Sequence, residues 1–419
     1  MKSKETKEEY ELIFRMPSEI TQPFIIEMLI NGGYDEFLYI YSKDNSDVGM
    51  YLSQNSQKKL AKTGLTLFSN EKKIESLLKE GEQLSKKINK FLQTIPLEKI
   101  RNSDNYWLKN NLMNFYNYFS GYCKIYRFTE VIYSPLIGKT IKDFVSEHIK
   151  DKNLINHSLS ILLNPSTKEK IANERNKILS QLKASKKFVY LCESVRTIGK
   201  EKLLMRNNIN NYWEFFENFL DEIAKRLFLS PIQAKSLFCN ELVEILNKNG
   251  DINDDILDKI NRRGIFFVAK KENNKYHFYT DQNAQKISKI VRREVKKNIT
   301  EIRGDVTSVG YVKGRATILP IGIGKKGKEK LKQKMVAMRK GDILVAVTTG
   351  SEMIMACRKA MAIVAEEGGI NSHAAIISRE LEIPGIVNTK IATKVLHDGD
   401  LIEVDANRGL IKILEKYRE

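Results

Sequence analysis

Apolar residues recur at three- and four-residue steps through most of the first 300 positions. Ile74, Leu77, Leu78, Leu84, Ile88, Phe91, Leu92 and Ile95 follow Asn70, and this spacing predicts a helix capped by that asparagine. Leu108, Leu112, Phe115, Tyr116, Phe119, Tyr122 and Tyr126 form an aromatic-rich stripe that ends before Pro135. Tyr212, Phe215, Phe216, Phe219, Leu220 and Ile223 repeat the pattern, and Ser230-Pro231 opens a further helix with a cap and a proline at its first position. Stripes of this kind predict packed helix–helix core rather than a ligand box. Two pieces interrupt them. Ile265–Val268 and Tyr276–Tyr279 flank a polar Lys-Glu-Asn-Asn turn and read as a β-hairpin, and a basic helix then runs from Asp281 through Ile287, Ile290, Val291 and Val295.

Beyond residue 305 the pattern changes to short apolar runs alternating with helical ones. Tyr311-Val312, Ala316–Leu319, Ile343–Val347, Ala362–Ala365, Gly385–Val387, Leu401–Val404 and Leu410–Leu414 are predicted strands. Helices fit Ser351–Lys359 and Ser372–Leu381, and Asn298 to Gly310 reads as a hinge. The fold class is therefore α+β and multidomain, a mostly helical N-terminal region followed by a compact C-terminal α/β domain. Three segments are expected: 1–140, helical with a short strand or two; 141–298, helical with a hairpin near 265–279; and 299–419, the α/β domain.

One run stands out chemically: Gly368-Gly369-Ile370-Asn371-Ser372-His373, placed between a predicted strand and a predicted helix. A helix N-terminus presents unpaired N–H groups and partial positive charge, which suits a phosphate. Glycines let backbone approach an anion closely. Ser372 or Asn371 can cap the helix and donate to a phosphoryl oxygen. A histidine of ordinary pKa is largely neutral at pH 7 and has a nucleophilic nitrogen. A lone histidine beside a glycine pair is more often a cap or a satisfied surface residue, so the flanking pattern has to decide.

That pattern is long and ordered. Gly341–Ala346, Lys359–Val364, Glu367-Gly368-Gly369, Ser372–Ile376, Arg379-Glu380-Leu381, Ile383-Pro384-Gly385, Asp398-Gly399-Asp400 and Val404-Asp405 with Gly409 occur in sequence. Together they resemble the mobile phosphohistidine ("swivelling") domain of enzymes that use phosphoenolpyruvate. These include phosphoenolpyruvate synthase, pyruvate phosphate dikinase, enzyme I of the sugar phosphotransferase system and the rifampin phosphotransferases. The resemblance implies a β/β/α sandwich-like domain that shuttles a phosphoryl group between two sites on its histidine. His373 matches that histidine; Gly368, Gly369 and Arg379 match the glycine pair and the arginine of the Arg-Glu-Leu run; and Asn371 and Ser372 are the phosphate-binding candidates beside them. A surface ion pair is the competing reading for Arg379. The helices and the hairpin after Arg262-Arg263 resemble the region preceding the shuttle domain in rifampin-phosphotransferase-like enzymes. Departures are Asn371 where a threonine is usual, Glu366 where another is usual, Thr349-Gly350 for Thr-x-Pro, and Ser308-Val309-Gly310 for Ser-Pro-Gly. A carboxylate pointing at a phosphoryl site would repel it, so Glu366 is expected to face away.

Composition narrows the rest. A chain of 419 residues can bury two or three cores, and 42% hydrophobic with 29% charged residues is ordinary for a soluble globule. Cys123, Cys192, Cys239 and Cys357 lack CxxC spacing, so neither a zinc site nor a disulfide framework is indicated, and no metal ligands are assigned. Neither an apolar signal core nor a run of about 18 apolar residues occurs, and a cytoplasmic protein is expected. The net charge of +18 invites a nucleic-acid reading, but the lysines are dispersed on helical faces without a nucleic-acid-binding motif. Residues 1–300 show neither a GxxxxGK[ST] loop nor an ATP-grasp pattern, and a phosphoenolpyruvate-binding barrel after Glu419 is not expected. The resemblance then implies a phosphohistidine carrier in a split enzyme. A separate ATP-grasp, dikinase-like nucleotide-binding subunit would hold Mg²⁺ and ATP (or phosphoenolpyruvate), and a small molecule would be the acceptor. A regulator that retains the swivelling fold, and a basic nucleic-acid-binding protein, are the alternatives.

Overall fold

The structure, a computed structural model, describes residues 10–15, 27, 34, 36–42, 49–248, 250–272, 275–291, 299–321 and 324–417. It divides into two compact units. The first comprises Met1–Lys58, Glu75–Phe128 and Met205–Arg292, and the second Lys59–Ile74, Thr129–Leu204 and Arg293–Glu419.

In the first unit the aromatic stripes become helices Glu71–Gln93, Asn105–Arg127 and the distal part of Lys186–Arg226. Asn70 caps the first of these through Lys73 N, at 3.1 Å. Their interior is a stacked aromatic core, with Phe115 and Phe216 ring centroids 4.7 Å apart and planes within 9°. Such a pair adds about 0.5–1.5 kcal/mol beyond the area it buries. Ser230 caps helix Pro231–Lys235 in a full capping box with Gln233. The unit also holds an antiparallel sheet of β1 (Tyr10–Arg15), β2 (Phe37–Ser42), β3 (Gly49–Ser53), β4 (Phe266–Glu272) and β5 (Lys275–Tyr279), ordered β1-β3-β2-β4-β5. The predicted hairpin is β4–β5, and β2 extends it by pairing along its own whole length with β4, from Phe37↔Lys271 to Ser42↔Phe266.

The second unit carries an eight-stranded sheet. Its strands are β6 (Glu301–Arg303), β7 (Asp305–Ser308), β8 (Tyr311–Leu319), β9 (Ile343–Ala346), β10 (Ala362–Ala365), β11 (Gly385–Val387), β12 (Leu401–Asp405) and β13 (Leu410–Glu415). Their order is β6-β13-β12-β8-β9-β10-β11-β7. The centre, β8 to β11, is parallel, and the flanking strands are antiparallel. Strands β9 and β10 are buried on both faces, as parallel strands covered on both sides must be. Alternation sends Leu344 and Ala346 into one core and Ile343 and Val345 into the other.

Two expectations change here. The reading of Asn298–Gly310 as a hinge fails over its described residues. β6 pairs with β13 and buries Ile302 in the core, and β7 pairs with β11 while Thr307 Oγ1 lies 3.0 Å from Ser378 Oγ. Asn298 and Val295 lie outside the described residues. A further helix, Gly324–Ala337, was absent from the prediction; among its described side chains only Leu331 is buried, so its pattern offered almost no apolar period.

Candidate functional site

The site is built at the carboxyl ends of two neighbouring parallel strands, where open α/β sheets characteristically bind ligands. Chain leaving β10 turns through residues 366–371, enters helix His373–Glu380, and returns as β11 beside β10. Chain leaving β9 delivers Thr349 to the same end.

Each loop residue has an identifiable task. Gly368 has φ +137°, and a Cβ there would lie 2.7 Å from Ser372 Oγ, so both conformation and space exclude a side chain. Gly369 differs: its φ is not positive, and a Cβ would meet Val131 at an ordinary 3.4 Å. Ser372 is the N-cap, its Oγ accepting from Ala375 N at 3.2 Å, while Ser372 N donates to Gly369 O at 3.0 Å. Helix geometry leaves the N–H groups of His373 and Ala374 without an intrahelical acceptor.

His373 is the first residue of the helix and is only 4% exposed. Its Nδ1 lies 2.8 Å from Thr349 Oγ1, and Thr349 is itself fully buried. Thr349 was read only as part of a sequence departure. Its role rests on a partner 24 positions away, and the available signal was that both residues follow adjacent parallel strands. Asn371 is 1% exposed, and neither its Oδ1 nor its Nδ2 has a hydrogen-bond partner. A buried amide in that state costs about 1–3 kcal/mol.

Arg379 is neither a surface ion pair nor pointed at an open anion seat. It is buried, and its guanidinium donates to the carbonyls of Thr307 at 3.1 Å, Leu163 at 2.8 Å and Ile370 at 2.5 Å. Burial lowers its pKa to about 10, which leaves it protonated at neutral pH. Holding the Ile370 carbonyl, it shapes the His373 loop from below. Glu366 does face away: its Oε1 accepts from Thr393 N at 2.6 Å and Thr393 Oγ1 at 2.5 Å. Among the described residues no group of three or more His, Cys, Asp or Glu could hold a metal ion. Nor is any described helix long and apolar enough to cross a membrane.

Residues 338–409 match the family model for the PEP-utilising enzyme mobile domain. A probable phosphoenolpyruvate synthase from Archaeoglobus fulgidus is 38% identical over 121 residues, 29% of this chain and 16% of that protein. The phosphoenolpyruvate synthase of Pyrococcus furiosus is 53% identical over 74 residues, 18% of this chain and 9% of that protein. A pyruvate kinase from Geobacillus stearothermophilus is 40% identical over 107 residues, 26% of this chain and 18% of that protein. The chain thus spans under a fifth of the length of these curated relatives.

Proposed function

We propose that this chain is a phosphotransferase component that carries a phosphoryl group on His373, between a nucleotide (or phosphoenolpyruvate) site and an acceptor site. The observation that carries the reading is the pairing of Thr349 with His373 Nδ1 beside the unpaired amide of Asn371. With Nδ1 engaged by Thr349, Nε2 is taken as the attacking nitrogen: in the tautomer that donates from Nδ1 to Oγ1, the nucleophilic lone pair lies on Nε2. Nε2 bonds to phosphorus as the bond from phosphorus to the donor's leaving oxygen breaks. In the second transfer the acceptor's nucleophilic atom bonds to phosphorus, the N–P bond breaks, and the imidazole is restored. A threonine hydroxyl both accepts and donates, so it can follow Nδ1 whether or not that nitrogen keeps its proton.

Asn371 Nδ2, the first-turn N–H groups and the backbone opened by Gly368 and Gly369 would then bind the phosphoryl oxygens. Ser372 and Arg379 act by holding the loop in shape. The donor nucleotide and its Mg²⁺ sit, on this reading, on a separate ATP-grasp-like subunit, and the acceptor is a small molecule.

The test exposes wild type and His373→Ala to γ-labelled ATP, β-labelled ATP and labelled phosphoenolpyruvate, alone and with host extract. Acid-labile, base-stable label on wild type only is expected, and label that needs extract identifies a split enzyme. Absence of label under every condition rejects the carrier in favour of a regulator.

A further inference from the structure

Every residue of helix His373–Glu380 up to Arg379 is buried, although the sheet can cover only one of its sides. Ala374, Ala375 and Ile377 enter the sheet-side core. The opposite side begins at His373 and continues, at helical spacing, through Ile376 and Glu380. Segment 129–204, helical and part of the same compact unit, meets that side at Ile376, through Gly199.

The contacts are specific. A Cβ on Gly199 would lie 3.2 Å from Ile376 Cδ1, and one on Gly138 would lie 3.3 Å from Ile370 Cδ1, so two glycines let helices seat directly on the two isoleucines. Val131 packs over Gly369. A reciprocal clasp joins the layers, with Arg379 Nη1 donating to Leu163 O at 2.8 Å and Asn164 Nδ2 donating to Arg379 O at 2.9 Å. At the edge, Asn156 Nδ2 donates to Asn407 O at 2.8 Å, and Lys168 stands 3.9 Å from Glu382.

An in-line displacement needs a phosphorus atom and its leaving group aligned with the imidazole nitrogen, and a histidine buried to this degree has no room for them. We infer that segment 129–204 is an intramolecular cover that closes over the His373 loop, so that the cover must lift before His373 reacts. The inference deepens the carrier reading by naming the contact that regulates the same site. Gly138 and Gly199 are the seats and the Arg379–Leu163–Asn164 clasp is the latch.

Carbethoxylation by diethyl pyrocarbonate, followed residue by residue in peptides of the intact chain, tests it without any phosphoryl donor. His148 and His397 are exposed and serve as internal references. In wild type His373 should react at least about tenfold more slowly than either, as a site reached only by local opening does. Gly138→Leu and Gly199→Leu wedge the seats apart while raising helix propensity, so the helices themselves are retained. Each should raise the His373 rate about tenfold through overpacking of the closed state. Asn164→Ala, which unlatches without adding bulk, should give a smaller rise. Wild-type His373 reacting as fast as His397 would overturn the cover, and so would an unchanged slow rate in both leucine variants with circular dichroism intact. Carbethoxylation that follows the expected pattern in a protein no donor ever labels would uphold the cover and reject the phosphoryl carrier.

Discussion

The aromatic core of the first unit and the His373 loop of the second are equally removed from solvent: Phe216 and Asn371 are each 1% exposed. Their chemistry differs. In the aromatic core the tyrosine tips are matched, Tyr212 OH lying 2.8 Å from Ser85 Oγ and Tyr122 OH accepting from Asn208 at 3.0 Å. Trp213 Nε1 is one unpaired donor there. The loop leaves a whole amide unpaired, adjacent in sequence to a capping serine and a buried histidine. Burial of apolar rings stabilises by itself, whereas burial of an unmatched amide destabilises. The first region is accounted for by folding alone. The second is not accounted for by apolar packing, because its buried amide meets no protein partner.

The largest expected effect separates the two as stability against chemistry. Phe216→Ala removes a ring stacked on Phe115 and in contact with Trp213, and should destabilise the first unit by about 3–5 kcal/mol. Urea unfolding followed by tyrosine and tryptophan fluorescence measures the loss. Labelling of His373 per folded molecule should be unchanged, and a proportional fall in labelling would mean that the first transfer depends on the aromatic core and the contrast fails.

Asn371→Leu should show the opposite pairing of signs. It replaces the unpaired amide by an apolar group of similar size, so the unliganded second unit should gain about 1 kcal/mol, or roughly 2–4 °C in Tm. Phosphorylation of His373 should slow at the same time, because a donor to the phosphoryl oxygens is lost. If the leucine variant is less stable and labels normally, the amide is structural and the contrast with the aromatic core collapses.

Legibility in the sequence followed the range of the interactions. Strands β9, β10 and β11 were readable because each is a short apolar run bounded by glycine, proline or polar residues, and helix Asn105–Arg127 because its stripe is local. β8 was read as two pieces because Lys313 and Gly314 interrupt its apolar pattern, yet backbone pairing with β12 runs straight through them. β3 is buried throughout and β2 everywhere but Ser42, so no alternation marks them as strands. Around the candidate site, the turn at Gly368, the cap at Ser372 and the helix start at His373 were legible from local backbone logic. Arg379 was misjudged because its partners, the carbonyls of Leu163 and Thr307, stand 216 and 72 positions away. The burial of His373 was invisible for a similar reason, since Thr349 against its Nδ1 stands 24 positions away.

The smallest effect concerns two half-buried carboxylates, one in each unit, that burial shifts in the same direction. Glu27 has its pKa raised from 4.5 chiefly by desolvation, with the neighbouring Glu241 adding to the rise while hydrogen bonds from Cys239 N and Tyr116 oppose it. Glu380 is also raised by desolvation, but Lys200, Arg379 and Lys168 all pull it back. A carboxyl group whose folded pKa exceeds its unfolded value binds more protons in the folded state. Its stabilising contribution is therefore complete below the unfolded value and is lost as pH rises through the folded one. The first unit should accordingly lose stability as pH climbs from 4.5 through the folded pKa of Glu27, and Glu27→Gln should flatten that part of the profile. Glu380→Gln should do less to the second unit, because its cations favour the ionised form. Urea midpoints measured from about pH 5 to about pH 7.5 on wild type and both variants decide the matter. A steeper profile in Glu27→Gln would mean that its carboxylate is stabilised rather than strained by its surroundings, contrary to the dominance of desolvation there.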